Sequence, residues 1–241
     1  MSTSRDGANF ERLGVSSQPA VRFDAVSLRR DNGGAVLRGV SFALPPGSFH
    51  VLQGGPRTGK TSLLRLICLA ESPSQGTAQV LGRDVQTLNR RERVDMRRRI
   101  GAALEPAVFI EHLSVWENAA LGPRLGGRKP ANYRQEVDEV LGWLGLAKRA
   151  RDLPSDLAPA ERSRLNLARA VADAPEILLV DEPPGGHSAG DATWLIRRLD
   201  EFHRTGAAVL LVASDPTLAA GHHVLRLEDG RISVADPDPA G

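Results

Sequence analysis

The stretch from His50 to Leu66, HVLQGGPRTGKTSLLRL, constrains this chain more than any other. Val51 and Leu52 end a short apolar run. Gly54 to Thr61 reads GGPRTGKT, and Lys60 to Ala70 carries Leu63, Leu64, Ile67 and Leu69 on one helical side. A strand, a G-x-x-x-x-G-K-[ST] turn and a helix, in that order, make the pattern a phosphate-binding loop. Successive backbone N–H groups in such a turn point inward and form an anion-binding concavity. The helix behind it adds unpaired N–H groups and the positive end of its dipole. Gly54, Gly55, Pro56, Arg57, Thr58, Gly59, Lys60, Thr61 and Ser62 are therefore expected around the phosphates of a nucleotide. Lys60 is expected to reach the β- and γ-phosphates, with the Thr61 hydroxyl on Mg²⁺.

A second stretch extends this reading. Glu176 to Glu182, EILLVDE, is a near-continuous apolar run ending in two acids. Such runs are buried parallel strands, and here the strand delivers carboxylates at its C-terminal end. Asp181 is expected to hold Mg²⁺ through water, and Glu182 to orient or deprotonate an attacking water. Ala207 to Ala213, AAVLLVA, reads as another buried strand.

Around these the chain orders itself as α/β. Residues 1–20 are polar, Gly/Ser-rich and without period, and read as a tail. The runs VRFDAVSL and AVLRGVSFAL, separated by Asp31-Asn32-Gly33-Gly34, read as a small antiparallel sheet preceding the α/β core. TAQVLG and Ile100 to Leu104 read as short strands. Asn89 to Arg99 carries six arginines and reads as a helix with a solvated basic face. Within residues 105–160, Ser114 to Leu121, Tyr133 to Leu144 and Leu146 to Arg149 have helical spacing, which makes this region a helical insertion. Pro159 to Ala172 and Asp191 to Phe202 read as helices, Arg226 to Ile232 as a closing hairpin, and residues 235–241 as a Pro-rich tail.

Composition narrows the function classes. The 241 residues are 41% hydrophobic and 25% charged, the balance of a soluble globular protein. No apolar run approaches the roughly 20 residues that span a bilayer. The opening MSTSRDGANFERLG has no apolar core of a secretory signal. Cys68 stands alone and reads as a small buried hydrophobe, consistent with the cytosol. A net charge of +2 and 4% aromatic residues argue against a nucleic-acid partner.

The order of phosphate loop, helical insertion, helix, LLVDEP and final apolar strand resembles the ATP-binding subunits of ABC systems over about residues 21–234. VLRGVSFALPPGSFHVLQ, RRRIG and HLSVWENAAL are most similar to the cell-division branch of that family, the FtsE type. Lipoprotein-release ATPases are close relatives. The resemblance implies a P-loop NTPase core with an antiparallel β subdomain and a helical insertion. It also implies ATP and Mg²⁺ as cofactors and a dimer enclosing two ATP molecules, formed with a second copy or with another ABC subunit. The implied partner is an FtsX-like integral membrane protein, which places the chain in the cytoplasm, peripheral on the inner face of the membrane. The cleft beside Glu105 to Trp116, with Phe109 and Trp116, is expected to receive a cytoplasmic helix of that partner.

The same comparison marks departures. Arg30 stands where the family has an aromatic ring that stacks on adenine. Pro56 and Arg57 replace Ser or Asn and then Gly. Glu105 falls at the family's glutamine, where it either repels nucleotide or recruits metal. The signature Leu-Ser-Gly-Gly-Glu becomes Leu157-Ala158-Pro159-Ala160-Glu161. Ala158 has no hydroxyl and Pro159 no N–H, yet proline suits a first helical turn. Ser188 replaces an aspartate, and Ser214 the histidine that contacts the γ-phosphate. His187 and His203 read as surface residues. The expected result is an ATP-binding subunit with impaired hydrolysis. The competing readings are a slow but compensated ATPase and a non-catalytic interaction module.

Overall fold

A computed structural model describes residues 18–30, 34–181, 189–219 and 221–235. Two sheets organise it. The strands β1 (Val21–Arg29), β2 (Ala35–Leu44), β4 (Gln75–Val80) and β5 (Arg83–Asp84) form an antiparallel sheet in the order β2-β1-β4-β5. The second sheet has the order β10-β9-β3-β8-β7-β6. Here β3 (Phe49–Gln53), β6 (Ile100–Ala103), β7 (Ile177–Asp181), β8 (Ala208–Val212) and β9 (His223–Glu228) run parallel, and β10 (Arg231–Ala235) is antiparallel at the edge. The expected small antiparallel sheet is present, but half of its strands follow the first helix in sequence. The expected closing hairpin is β9 and β10, and β9 is also the parallel neighbour of β3.

The central strands have no polar face because helices and the antiparallel sheet cover both sides. Val51, Leu52, Leu178, Leu179, Leu210 and Leu211 are fully buried, as expected of parallel strands. On one side Leu52, Leu179 and Leu210 join Phe23, Leu37 and Leu44 of the antiparallel sheet and the apolar side of α1 (Lys60–Ile67). On the other side Val51, Leu178 and Leu211 meet α6 (Pro159–Val171) and the helices α3 (Val115–Ala119) and α5 (Arg134–Trp143). The short α4 (Leu121–Leu125) lies between α3 and α5, and α7 (Ala189–His203) precedes β8. Thus helices α3 to α5 all fall between β6 and α6, where the sequence changes to helical spacing.

Helix ends show how local sequence sets these boundaries. At α2 (Arg90–Arg97), Asn89 Oδ1 accepts from Glu92 N–H at 3.0 Å, and Glu92 Oε2 accepts from Asn89 N–H at 2.9 Å. Ser114 and Glu117 repeat this box at α3. The arginine-rich α2 is not simply a solvated face. Arg97 Nη2 donates to Leu69 O at 2.6 Å, and Arg93 Nη2 donates to Val85 O at 2.7 Å and Ser72 Oγ at 2.9 Å. These cations satisfy carbonyls around the C-terminal end of α1, where the dipole favours positive charge. Arg99 pairs with both Glu176 oxygens at 2.5 and 2.8 Å and ties the start of β6 to that of β7.

At the opposite end of β3 from the phosphate loop, His50 is buried with Nδ1 unbonded among the described residues. Burial, with the charge of the stacked His223 ring 5.1 Å away, pushes its pKa down to about 4. His222, packed on Phe49 at 4.0 Å, moves in the same direction through burial. A histidine depressed in the fold contributes stability above its unfolded pKa of about 6.5, and that stability is lost as pH falls toward the folded value. His50 alone is therefore expected to cost about 2 kcal/mol between pH 7 and pH 5. Thermal unfolding should show this loss, and His50→Leu should make the curve flatter over that interval. His203 is half-buried rather than a surface residue, with its ring 6.0 Å from that of Phe49 and Nδ1 3.8 Å from Asp200. Burial also pushes the Cys68 thiol up to about 11, in keeping with an unreactive side chain.

Candidate functional site

The phosphate loop leaves β3 at its C-terminal end and turns into α1. Gly54 has to be glycine, because a Cβ there would lie 2.4 Å from Leu227 O and 2.9 Å from Thr58 Oγ1. Gly59 takes φ 109° as the residue that caps α1, and a Cβ would meet Leu37 and Val36 O at 2.9 Å. The turn is tightened by Thr58 Oγ1, which donates to Gly55 O at 3.0 Å. Lys60 Nζ donates to Gly54 O at 2.5 Å and Gly55 O at 3.0 Å, so the ammonium lies across the loop it is expected to serve. Arg57 holds φ 61°, a left-handed conformation that costs a non-glycine residue about 1–2 kcal/mol. Strain of this kind persists where the surroundings impose it.

These residues open on a cleft of about 1010 Å³. Gly55 to Ser62 line it together with Arg30, Glu105 and Asp181, so residues far apart in sequence come to one place. Asp181 arrives from the end of β7, two strands from β3 across β8. Glu105 arrives from the exit of β6, where Asn166 of α6 donates to Leu104 O at 3.0 Å and fixes the chain just before it. Its carboxylate accepts from Ala107 N–H at 3.1 Å. Arg30 stands at the end of β1. Gly54 supports the turn through its carbonyl and does not line the cleft. Glu182, His187 and Ser188 lie outside the described residues, as do residues 31–33 of the expected turn.

The cleft also contains residues that no sequence motif pointed to: Arg38 of β2 and the turn Asp229-Gly230 between β9 and β10. Gly230 takes φ 74°, and a Cβ there would meet Val36 O at 2.6 Å. Arg38 N–H donates to Gly230 O at 2.7 Å, joining this turn to β2. The Asp-Gly pair signals a turn, but nothing local says that the turn meets a strand almost 200 residues earlier. Four cations, Arg30, Arg38, Arg57 and Lys60, thus face a cleft with three carboxylates, Glu105, Asp181 and Asp229.

The donor set suits a hard cation. Thr61 offers a hydroxyl and Asp181 a carboxylate, both oxygen ligands of the kind Mg²⁺ takes. Among the described residues no group of three or more His, Cys, Asp or Glu can hold a metal alone. Such a site fits Mg²⁺ brought with phosphates, because Mg²⁺ in nucleotide sites uses one or two protein ligands.

The N-terminus of α6 is built differently from a phosphate site. Ala158 is its capping residue and makes no side-chain bond, and Pro159 opens the first turn. Glu161 turns back to accept from Ala158 N–H at 2.9 Å and faces Arg149 at 3.4 Å. The helix is kept by proline and half a capping box, while a hydroxyl and one N–H are missing from its end. Ser214, expected at the γ-phosphate, follows β8 in an exposed position.

The segment after Glu105 corrects one expectation. Phe109, expected in the docking cleft, is 6% exposed and lies beneath Arg162 and Arg169 at 4.9 and 5.6 Å. Its neighbours Val108 and Ile110 are 76% and 37% exposed. Trp116 is half-buried and donates from Nε1 to Asp138 at 2.7 Å.

Residues 37–185 match the family model for the ABC transporter. The cell division ATP-binding protein FtsE of Escherichia coli K12 is 33% identical over 214 residues, covering 88% of this chain and 96% of the relative. FtsE of Bacillus subtilis is 28% identical over 204 residues, covering 83% and 89%. Among solved structures, the dimeric bacterial ABC transporter cassette MJ0796 superposes with a TM-score of 0.82 at 24% identity, covering 88% of this chain and 96% of that one. The same cassette in a post-hydrolysis state bound to ADP and Pi gives 0.83 at 23% identity, covering 91% and 100%.

Proposed function

The chain belongs to the ABC transporter family and is similar to FtsE over most of its length, and we propose that it is an ATP-binding subunit that couples its nucleotide state to a membrane partner in cell division. The observation that carries this reading is the convergence of Lys60, Thr61 and Asp181 on one cleft behind a glycine-rich turn. Loop N–H groups and the α1 N-terminus hold phosphate, and Lys60 exchanges its loop carbonyls for β- and γ-oxygens. Mg²⁺ would supply charge neutralisation between phosphates, with Thr61 and Asp181 as the protein's ligands and Glu105, which lines the same cleft, as a further candidate. Glu182 is the proposed base or water-positioning group. Binding is retained in this reading and turnover is slow, because the end of α6 lacks a hydroxyl and one N–H and Ser214 replaces the imidazole of a histidine with a short hydroxyl.

The partner proposed is an FtsX-like integral membrane protein. No described helix of the chain is itself long and apolar enough to cross a membrane. A groove of about 370 Å³ between β6 and α4 presents Ile100, Leu121 and Leu125 among Arg97, Arg98 and Arg169. Val108, whose carbonyl accepts from Arg169, carries an exposed apolar side chain. The proposed occupant is a cytoplasmic helix of the partner, which holds the subunit, as a pair with itself or another ABC subunit, at the inner face of the membrane.

Calorimetric titration with Mg-ATP tests the nucleotide reading. Saturable binding is expected, and Lys60→Ala should weaken it at least about tenfold by removing a charged phosphate contact. No binding at millimolar Mg-ATP would overturn the reading and leave a non-catalytic interaction module.

A further inference from the structure

The outer side of α2 takes no part in the packing of the helix against the core. Its inner side is occupied: Met96 is buried, and Arg93 and Arg97 donate to the carbonyls of Val85 and Leu69. Arg90 and Arg91 precede Val94 by four and three residues, and Arg98 follows it by four, so these four side chains share the opposite side. All four residues are exposed, Val94 by 43%. The guanidinium groups of Arg90 and Arg91 make no hydrogen bond or ion pair among the described residues. Arg98 meets Asp95 at 3.5 Å in an exposed pair, the kind that contributes little to folding. Three arginines against one aspartate leave this side of the helix net positive.

This side is continuous with the groove between β6 and α4. Arg98 Nη2 donates to Leu125 O at 3.4 Å, and Arg98 and Leu125 both line that groove. Leu125 is 75% exposed. An exposed valine and an exposed leucine therefore stand among arginines whose own stems are apolar. Guanidinium groups pair with phosphate, and apolar side chains beside them suit the boundary between headgroups and acyl chains.

From this charge and this continuity, we propose that the outer side of α2, with Leu125 of α4, lies against the acidic phospholipid headgroups of the membrane. The proposal rests on the membrane-partner reading above and adds a second contact, with the lipid itself. A partner helix held in the groove comes from the bilayer, so the bilayer lies on the side where Arg98 and Leu125 stand. Arg90 and Arg91 carry the positive surface on along α2. Each cation near such a surface strengthens binding about fivefold. Because Met96 is committed to the core, α2 rests on the headgroups and does not insert.

Co-sedimentation of the full chain with lipid vesicles, without any partner protein, is the test. The vesicles are phosphatidylcholine alone and phosphatidylcholine mixed with phosphatidylglycerol. Binding is expected to the acidic vesicles at about 0.1 M salt and to be lost at about 0.5 M, because salt screens exposed charges. No binding is expected to phosphatidylcholine alone. Arg90→Ala with Arg91→Ala should weaken binding about 30-fold with thermal unfolding unchanged, since neither side chain is engaged. Lys148→Ala with Arg204→Ala removes as much charge from exposed positions after α5 and α7. That control should stay within about threefold of the unmodified protein, because charge acts only over about a screening length. Equal weakening by the two double variants would mean that total charge decides, and would overturn the proposal. Equal binding to both kinds of vesicle, or none to either, would also overturn it. If partner-containing membranes hold the chain through Arg90 and Arg91 while acidic vesicles do not, this side of α2 takes an acidic segment of the partner; the lipid contact then falls and the partner reading stands.

Discussion

Rebuilding the missing phosphate donors is expected to raise the steady-state ATPase rate about 100-fold or more, provided both missing elements are restored together. The variants are Ala158→Ser with Pro159→Gly and Ala160→Gly at the α6 N-terminus, and Ser214→His after β8, combined on a Glu105→Gln background. Phosphoryl transfer depends almost wholly on positioning and charge stabilisation. One preorganised donor to the transferring group is worth about 10²–10³ in rate, and donors that act as a unit fail as a unit. Either half of the repair alone should therefore change the rate by less than about tenfold. The structure makes the α6 repair feasible, since the helix already has its Glu161 box and its packed face of Leu165, Leu167 and Ala168. Losing Pro159 at the first turn costs helix preorganisation, so thermal unfolding of each variant belongs beside the rate. Phosphate release at saturating Mg-ATP decides the matter. If the unmodified protein already turns over at about 1 s⁻¹, within the ordinary enzyme range, hydrolysis is not impaired and its donors lie elsewhere in the cleft.

Contiguous features were legible in the sequence. The strand, turn and helix from His50 to Leu66 is one covalent unit, so spacing alone showed the loop, although Gly54, expected around the phosphates, supports the turn through its carbonyl instead. The runs ILLVD and AVLLV declared themselves buried strands because both faces are covered, and Asp181 stands at the cleft end of the first. Long-range pairing was not legible. β4 lies after α1 in sequence yet joins β1, through partners such as Val21 with Val80, and no local pattern encodes that register. The Asp229-Gly230 turn was visible as a turn and invisible as a wall of the cleft. The basic helix misled in the same way: composition shows six arginines but not which carbonyls they satisfy. Arg93 and Arg97 turn to the end of α1 because its carbonyls lie within reach only in the folded chain.

Phe109 was read as a docking residue for a related reason, and correcting it yields a second large effect. The docking cleft was inferred from the resemblance of HLSVWENAAL and from the change to helical spacing, neither of which shows how deep the ring of Phe109 lies. In the fold segment 104–114 is pinned from two sides. Buried Asn118 accepts from Ile110 N–H at 3.0 Å and donates to the carbonyls of Ile110, Leu113 and Ser114 at 3.0–3.1 Å. From α6, Arg169 donates to Val108 O, and Arg162 donates to Pro154 O at 2.7 Å and to Glu111 at 3.2 Å. Phe109 fills the space between, in the core shared by α3, α5 and α6. Phe109→Ala is expected to cost about 3 kcal/mol or more through lost burial and the cavity left behind. For a chain of this size that lowers Tm by roughly 6–12 °C. Phe109→Asp should cost more, because a carboxylate would replace the ring in a buried position. Val108→Asp changes an exposed side chain and should leave Tm within about 2 °C. Co-sedimentation with partner-containing membranes then separates docking from folding. Val108→Asp and Ile110→Asp are expected to release the protein from membranes at unchanged Tm. Release by Phe109→Asp alone, accompanied by a fall in Tm, would reflect unfolding and would remove this surface as the docking site.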